Sequence, residues 1–126
     1  MSIDILSNGD AGNVFPQPQK TGVFSDAYLI KGIEKKFHSE LAIVYVSSAL
    51  RKAIYEKYSY SHKAVWNRVE NDFISLPVSS SRIDFRCMEI FIKAVEKLCI
   101  RSVAEWKDKI IATTKCIVNE NAHSDV

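Results

Sequence analysis

The stretch that decides the fold is residues 84–119, which read DFRCMEIFIKAVEKLCIRSVAEWKDKIIATTKCIVN. No Gly or Pro interrupts it. Its apolar side chains recur at steps of mostly three or four residues, at Phe85, Met88, Ile92, Val95, Cys99, Val103, Trp106, Ile110 and Ile117. That spacing keeps them on one stripe of a helix, and Asp84 is a suitable N-cap for the first turn. The stretch therefore predicts one amphipathic helix, roughly 50 Å long at 1.5 Å per residue.

A helix of this length is longer than a small domain needs, and the remaining chain is too short to cover the whole apolar stripe. The favoured interpretation is a docking arm that packs against a partner helix in a coiled coil or bundle. The alternative is a bent or broken helix that covers its own domain. The side chains expected at the partner interface are Met88, Phe91, Val95, Leu98, Trp106 and Ile110.

The residues before this helix predict a small sheet. Alternating apolar and polar residues indicate a strand over 3–6, and residues 14–15 indicate a second strand. The turn at 7–10, with a glycine free to take a positive φ, would join the two strands as a hairpin. Further strand residues are expected at 23–24 and 27–30.

A buried helix is predicted over 39–55, capped by His38 or Ser39, and it is followed by a short helical turn and a strand over 73–78. The side chains expected to face the core from this helix are Leu41, Tyr45, Ala49 and Ile54. The order of elements predicts a mixed α/β (α+β) fold, in which a small partial sheet with a packed helix precedes the long C-terminal helix. The expected divisions are a recognition part over 1–82, a docking helix over 83–119 and a flexible tail over 120–126.

Composition excludes several classes of function. The chain has 126 residues, 47% of them hydrophobic and 25% charged, which indicates a single globular domain. Its formal net charge of +2 permits nucleic-acid binding without indicating it. Cys87, Cys99 and Cys116 lack metal-ligand spacing, so they are expected to be small apolar residues in a reducing compartment. Neither a secretion signal nor a membrane span is expected.

Residues 57–68, which read KYSYSHKAVWNR, form the best candidate binding segment. This basic loop holds three cations, three aromatic residues and several hydroxyls, and it has no acid. Cations of this kind neutralise phosphates, and the polar side chains can hydrogen-bond phosphates or base edges. The alternative is an ordinary solvated loop in which Tyr58 and Trp66 belong to the core. Lys20, in a polar loop between two strands, is a further candidate for DNA contact.

A catalytic site is less well supported. Glu34-Lys35-Lys36 has the Glu-x-Lys spacing of many metal-dependent nucleases, and Asp26 lies upstream of it. That chemistry needs several acids placed together around a divalent ion, and no other acid is evidently placed with Glu34. There is no glycine-rich phosphate loop and no G-x-S-x-G motif. The sequence therefore predicts neither a catalytic set nor a cofactor site.

Four passages together resemble a known family: KYSY at 57–60, WNRV at 66–69, FISLPV at 73–78 and IDFRCMEIFIKAVEKL at 83–98. They look like the end of a target recognition domain, as found in specificity subunits of type I restriction–modification systems and in the C-terminal part of type IIG enzymes. In that family a basic, aromatic loop and an arginine-bearing turn precede an Ile-x-Leu-Pro strand. An Asp-aromatic-x-x-Met-Glu motif then opens a long helix.

The passages at 7–15 and 24–30 are similar to the middle of such a domain. The family's domain starts well upstream of the position equivalent to Ile3, so its first half is expected to have no counterpart in this sequence. It implies sequence-specific recognition of double-stranded DNA in the cytoplasm, by a component that is not itself an enzyme and needs no cofactor. The long helix would pack against a methyltransferase or restriction subunit, or against a second specificity half. S-adenosylmethionine and Mg²⁺ would belong to the catalytic partner.

The residues assigned to DNA contact on these grounds are Lys20, Lys57, Tyr58, Ser59, Tyr60, His62, Lys63, Asn67 and Arg68. The alternative function is a non-catalytic protein-interaction module that acts through the long amphipathic helix alone.

Overall fold

The computed structural model describes residues 1–7 and 11–124, and the side chains of 1–7 and 11–119. The fold is mixed α+β, as predicted. Its elements are β1 (Ser2–Leu6), β2 (Val14–Gln17), β3 (Ala27–Ile30), a 3₁₀ helix (Lys35–His38), α1 (Glu40–Ile54), α2 (Trp66–Val69), β4 (Val78–Ser79), β5 (Arg82–Ile83) and α3 (Phe85–Ser124). The chain divides into two compact units, Met1–Ile92 and Lys93–Val126, and the boundary between them falls within α3.

Three antiparallel strands in the order β2-β1-β3 form the main sheet. Ile3 and Ile5 on β1 are buried, whereas Asp4 between them lies on the opposite face, as the two-residue period of a strand requires. The predicted pairing of the first two strands is confirmed, while residues 8–10 of the predicted turn lie outside the described residues. The expected strand residues at 23–24 belong to no strand, and Phe24 is exposed.

Helix α1 packs on the buried face of this sheet. The Ser39 hydroxyl accepts from the amide of Ala42 at 3.1 Å, so the predicted serine cap is confirmed. Of the four side chains expected to face the core, Ile54 is completely buried, whereas Leu41, Tyr45 and Ala49 are only partly buried. The residues that are buried instead are Ala42, Ile43, Ser47 and Leu50.

The difference arises because α1 is covered on more than one side. The face that includes Ile43, Leu50 and Ile54 joins β1 and β2 in the core. Tyr45 points elsewhere and packs edge-on against Phe91 of α3, with the ring centroids 5.6 Å apart. Apolar residues almost encircle α1, so periodicity alone could not choose between these faces.

The first turns of α3 belong to the same unit as the sheet. The carboxylate of Asp84 accepts from the amide of Cys87 at 2.9 Å, which confirms the predicted N-cap. Met88 is completely buried in this unit. The Ser39 hydroxyl, which caps α1, also donates to Glu89 at 3.0 Å. One serine therefore links the start of α1 to the start of α3.

The predicted strand over 73–78 is wrong except at its last residue. Ile74 and Leu76 are partly buried and Ser75 is exposed, so the two-residue alternation is present. No strand of the described residues pairs with 73–77, and alternation without a hydrogen-bonded neighbour leaves an extended segment. Val78–Ser79 pairs instead with Arg82–Ile83, across a turn at Ser80 and Ser81 where φ is 49° and 63°.

Beyond Ile92, α3 forms the second unit. Every described side chain from Lys93 to Asn119 is exposed, including large apolar residues of the stripe. In the described part of the chain, no helix has both the length and the apolar character needed to cross a membrane.

Replacing Ile54 by alanine removes a completely buried side chain from the contact between α1 and the sheet. We expect Ile54→Ala to lower the free energy of unfolding by about 2–5 kcal/mol, because a cavity is left in the core. The matched control is Ile33→Ala, since Ile33 is 100% exposed and its replacement should change little. Urea denaturation of both variants measures the difference, and equal effects would contradict this core.

Candidate nucleic-acid interface

The basic loop begins where α1 ends. Glu56 takes a positive φ of 67°, and the amide of Lys57 donates to the carbonyl of Ile54 at 3.2 Å, so the chain turns sharply away from the helix axis. Ser59 and His62 then exchange two backbone hydrogen bonds of 3.0 and 3.1 Å. The segment between them is a closed turn with a defined backbone, and it presents Tyr60 and Ser61 at its tip.

The start of the loop is held by Asp72, which follows α2. Its carboxylate accepts from the Tyr58 hydroxyl at 2.6 Å and forms an ion pair with the ammonium of Lys57. The side chain of Asp72 is only 4% exposed, and Tyr58 is buried in the hydrophobic core. A carboxylate in such a place is costly unless its oxygens are paired, and here both oxygens have partners.

Burial and charge act in opposite directions on Asp72. Burial by itself would raise the pKa of the Asp72 carboxyl, but the hydrogen bonds from Lys57 and Tyr58 and the Lys57 charge lower this pKa below 3.8. Burial, followed by the bond to Asp72 and its charge, raises the pKa of Tyr58 to about 12. At neutral pH the site therefore holds a neutral phenol, a carboxylate and an ammonium.

A second tie holds the middle of the loop. The hydroxyl of Tyr28 on β3 donates to the carbonyl of Ala64 at 3.0 Å, and Ala64 is completely buried. The Tyr28 ring meets Trp66 edge to face with centroids 6.1 Å apart, and about half of the indole is exposed. Burial, followed by the charge of Asp72, raises the pKa of Tyr28 to about 12, so it also remains a donor. Trp66 is therefore half-exposed and, unlike Tyr58, is not one of the buried core residues.

The outer side of the loop carries the exposed polar groups. Tyr60 is 74% exposed, and the ammonium of Lys63 lies 5.9 Å from its ring centroid. The guanidinium of Arg68 donates to the main-chain carbonyl of Lys63 at 3.0 Å, so Arg68 is held against the backbone of the loop. Asn67 precedes Arg68 in α2 and is exposed. This group can offer two positive charges, one amide and one aromatic face to a ligand.

The structure separates the residues assigned to DNA contact into two groups. Tyr58 is corrected to a buried core residue, and Lys57 is already paired with Asp72. The side chains that remain exposed on the basic loop are Ser59, Tyr60, His62, Lys63, Asn67 and Arg68. Within this set, His62 also stacks on Tyr58 with centroids 5.5 Å apart. Lys20 is exposed in the segment after β2, and no described contact joins it to the loop.

Sequence reasoning missed Asp72 and Tyr28. Neither belongs to the loop, because Tyr28 lies 36 residues before its partner Ala64 and Asp72 lies 14 residues after Tyr58. The absence of any acid within 57–68 was the available signal, since a buried cation or phenol there would need an acid from another segment.

The residues assigned to the partner interface also divide. Met88 is completely buried within its own unit, so it is not available to a partner helix. The other five are exposed apolar side chains of α3, namely Phe91, Val95, Leu98, Trp106 and Ile110. The three cysteines were expected to pack in the stripe, but each is a free and exposed thiol.

The nuclease alternative gains no support from the geometry. Glu34 is exposed and precedes the 3₁₀ helix without capping it. Among the residues that the structure describes, no three His, Cys, Asp or Glu side chains are close enough to hold a metal ion. Comparison with protein-family models, curated proteins and solved structures found no match to this chain.

Replacing Asp72 by asparagine tests its pairing through stability. Because the folded pKa of Asp72 lies below its unfolded value, its stabilisation is present above about pH 3.8 and is lost as the pH falls through the folded pKa. We expect Asp72→Asn to lower the free energy of unfolding by about 1–3 kcal/mol at neutral pH. The gap from the wild type should shrink in acid.

Urea denaturation at several pH values measures this gap. Glu70→Gln is the control, because Glu70 is an exposed acid only two residues away. A gap for Asp72→Asn that stays constant from neutral to acid pH would show that the carboxylate charge is not what stabilises the site.

Proposed function

We propose that this chain is a DNA-recognition component of a restriction–modification system. In this proposal the basic loop meets DNA, and α3 docks the chain on a partner. The observation that carries the proposal is the pair of exposed cations Lys63 and Arg68 on one loop, where Arg68 also donates to the carbonyl of Lys63. The loop is held by the hydroxyl of Tyr58, which bonds to Asp72, and by the carbonyl of Ala64, which accepts from Tyr28. The sequence resemblance supports the choice of DNA as the ligand.

The charges of this pair are free to meet a phosphate. In the described part of the chain, neither Lys63 nor Arg68 has an ion pair within 4 Å. Arg68 uses one guanidinium nitrogen on a backbone carbonyl, which orients the planar group and leaves other donors for a phosphate or a guanine edge. Tyr60 beside Lys63 adds a face for packing against a sugar or base, and Asn67 adds an amide for a base edge.

The exposed stripe of α3 supports the docking part of the proposal. Val95, Leu98, Val103 and Trp106 are large apolar side chains with 39–64% of their surface in contact with solvent. A soluble monomer seldom leaves such a continuous set uncovered, and interfaces between helices bury side chains at this spacing. The partner would be a methyltransferase or restriction subunit, or a second specificity half.

Charges beside the stripe favour a matching helix in the antiparallel direction. Glu96 and Lys107 are eleven residues apart, about three turns, so they lie on the same flank of α3. Two antiparallel copies would bring Glu96 of each chain to Lys107 of the other. Arg101 and Glu105 already pair with each other within the helix at 2.9 Å, so neither charge needs a partner across such an interface.

The proposed role is binding, and catalysis is assigned to the partner. Restriction and modification act on DNA within the cell, so the proposed location is the cytoplasm. The chain would supply the choice of DNA site, while the cofactors of methylation and cleavage would be held by the catalytic subunit.

The double variant Lys63→Ala/Arg68→Ala tests DNA contact. We expect weaker binding to duplex DNA and a flatter dependence of log affinity on log salt, by about 0.9 for each phosphate that the variant no longer neutralises. Fluorescence anisotropy with a labelled mixed-sequence duplex over a salt series measures both quantities. The control is Lys97→Ala/Lys115→Ala, which removes two exposed cations of α3. An unchanged salt slope in the loop variant would contradict the proposal.

A second candidate function is a protein-interaction module that uses α3 alone. The exposure of Trp106, at 64%, favours it independently of the basic loop. This candidate shares the docking surface of α3 with the first, and the two differ only in whether the chain binds DNA.

The variant Trp106→Glu tests the docking surface. We expect the wild-type chain to form a dimer in light scattering and Trp106→Glu to be a monomer, because a charge in the apolar stripe opposes its burial. Lys97→Glu is the control, since Lys97 lies on the polar side of the helix and its replacement should leave the dimer intact. A wild-type monomer at every concentration tested would rule out pairing between copies of α3.

A further inference from the structure

Asp72 connects the basic loop to the body of the unit. One of its carboxylate oxygens accepts a hydrogen bond from the ammonium of Lys57, and the other accepts one from the hydroxyl of Tyr58. The side chain of Lys57 is 53% exposed, whereas that of Asp72 is almost completely buried. The acid is thus fixed by its surroundings, and Lys57 comes to it from the surface.

A series of contacts links Asp72 and Tyr58 to the exposed cations of the basic loop. Tyr58 stacks on His62, with the two rings inclined by only 9°. His62 closes the turn through its backbone hydrogen bonds with Ser59. The next residue is Lys63, and its carbonyl accepts a hydrogen bond from the guanidinium of Arg68. A change in where Tyr58 sits would therefore move the turn that places Lys63.

We propose that Asp72, together with Lys57 and Tyr58, is a clamp that positions the basic loop for DNA, and that Lys57 is a positioning residue and makes no phosphate contact. The inference rests on the proposed function, because it assigns roles within the same DNA-binding loop. If Lys57 moved to a phosphate, the buried carboxylate of Asp72 would lose its cation, which is the costly arrangement for a buried charge.

Charge and geometry predict opposite effects for Asp72→Asn. If only charge mattered, removing an acid near the DNA would strengthen binding, as for any anion close to phosphates. If Asp72 positions the loop, the same change weakens binding. Glu70→Gln is the matched control, because it removes one negative charge from an exposed side chain that lies two residues before Asp72.

The first experiment measures anisotropy of a labelled mixed-sequence duplex over a salt series with the full chain. We expect Asp72→Asn to bind about tenfold more weakly, on the scale of one charged hydrogen bond, while Glu70→Gln binds no more weakly than the wild type. Lys57→Ala should also bind more weakly, with an unchanged salt slope. Lys63→Ala should lower that slope by about 0.9.

Two results would overturn the clamp in this experiment. One is tighter binding by Asp72→Asn, equal to that of Glu70→Gln. The other is a salt slope that falls for Lys57→Ala as much as for Lys63→Ala, because that would make Lys57 a phosphate contact.

Hydrogen exchange judges the clamp without DNA. The amides of Ser59 and His62 are hydrogen-bonded within the turn. We expect both amides to exchange faster in Asp72→Asn and in Lys57→Ala than in the wild type, and at the wild-type rate in Glu70→Gln. Equal exchange in all variants would overturn the inference. If the wild-type chain does not bind the duplex at low salt, the proposed function is refuted. The exchange rates would still show whether Asp72 holds the loop.

Discussion

The burial of α1 is the constraint on which the rest of the first unit depends. A three-stranded sheet has too little surface to bury itself, so β1 relies on Ile43, Leu50 and Ile54 of α1 to cover Ile3 and Ile5. Once α1 is fixed on the sheet, its other sides become available for further packing. Tyr45 packs against Phe91, and Ser39, which caps α1, donates a hydrogen bond to Glu89. The start of α3 is therefore fixed by the same helix.

The end of α1 also determines where the basic loop begins. The turn at Glu56 delivers Tyr58 into the hydrophobic cluster, and its hydroxyl must then find a partner. Asp72 supplies that partner, and its own burial requires a cation, which Lys57 provides. Each polar group in this series is present because the preceding one was buried. The result is a loop whose inner side is fixed and whose outer side carries exposed cations.

Local signals were sufficient to predict some parts of this structure and insufficient for others. The N-caps at Ser39 and Asp84 follow from short-range chemistry, and β1 follows from alternation, so these predictions are confirmed. The strand at 73–78 failed because alternation describes which side is buried and does not supply a neighbouring strand. For the loop, composition indicated cations and aromatics, but it did not show that Tyr58 is buried and Tyr60 exposed. The acid that pairs with the buried phenol, Asp72, lies outside the loop and is brought close only by the fold.

The two candidate surfaces differ in the force that would drive binding, and this difference has consequences for how the chain could work. Burying one large apolar side chain of α3 is worth roughly 1.5–3 kcal/mol, and added salt does not weaken that term. Contacts of Lys63 and Arg68 with phosphates gain from counterion release, which salt reduces steeply. A chain that combined both surfaces would stay on its protein partner while its hold on DNA varied with ionic conditions. Release from a wrong DNA site would then not require release from the partner, which is the behaviour that a recognition component needs while it searches.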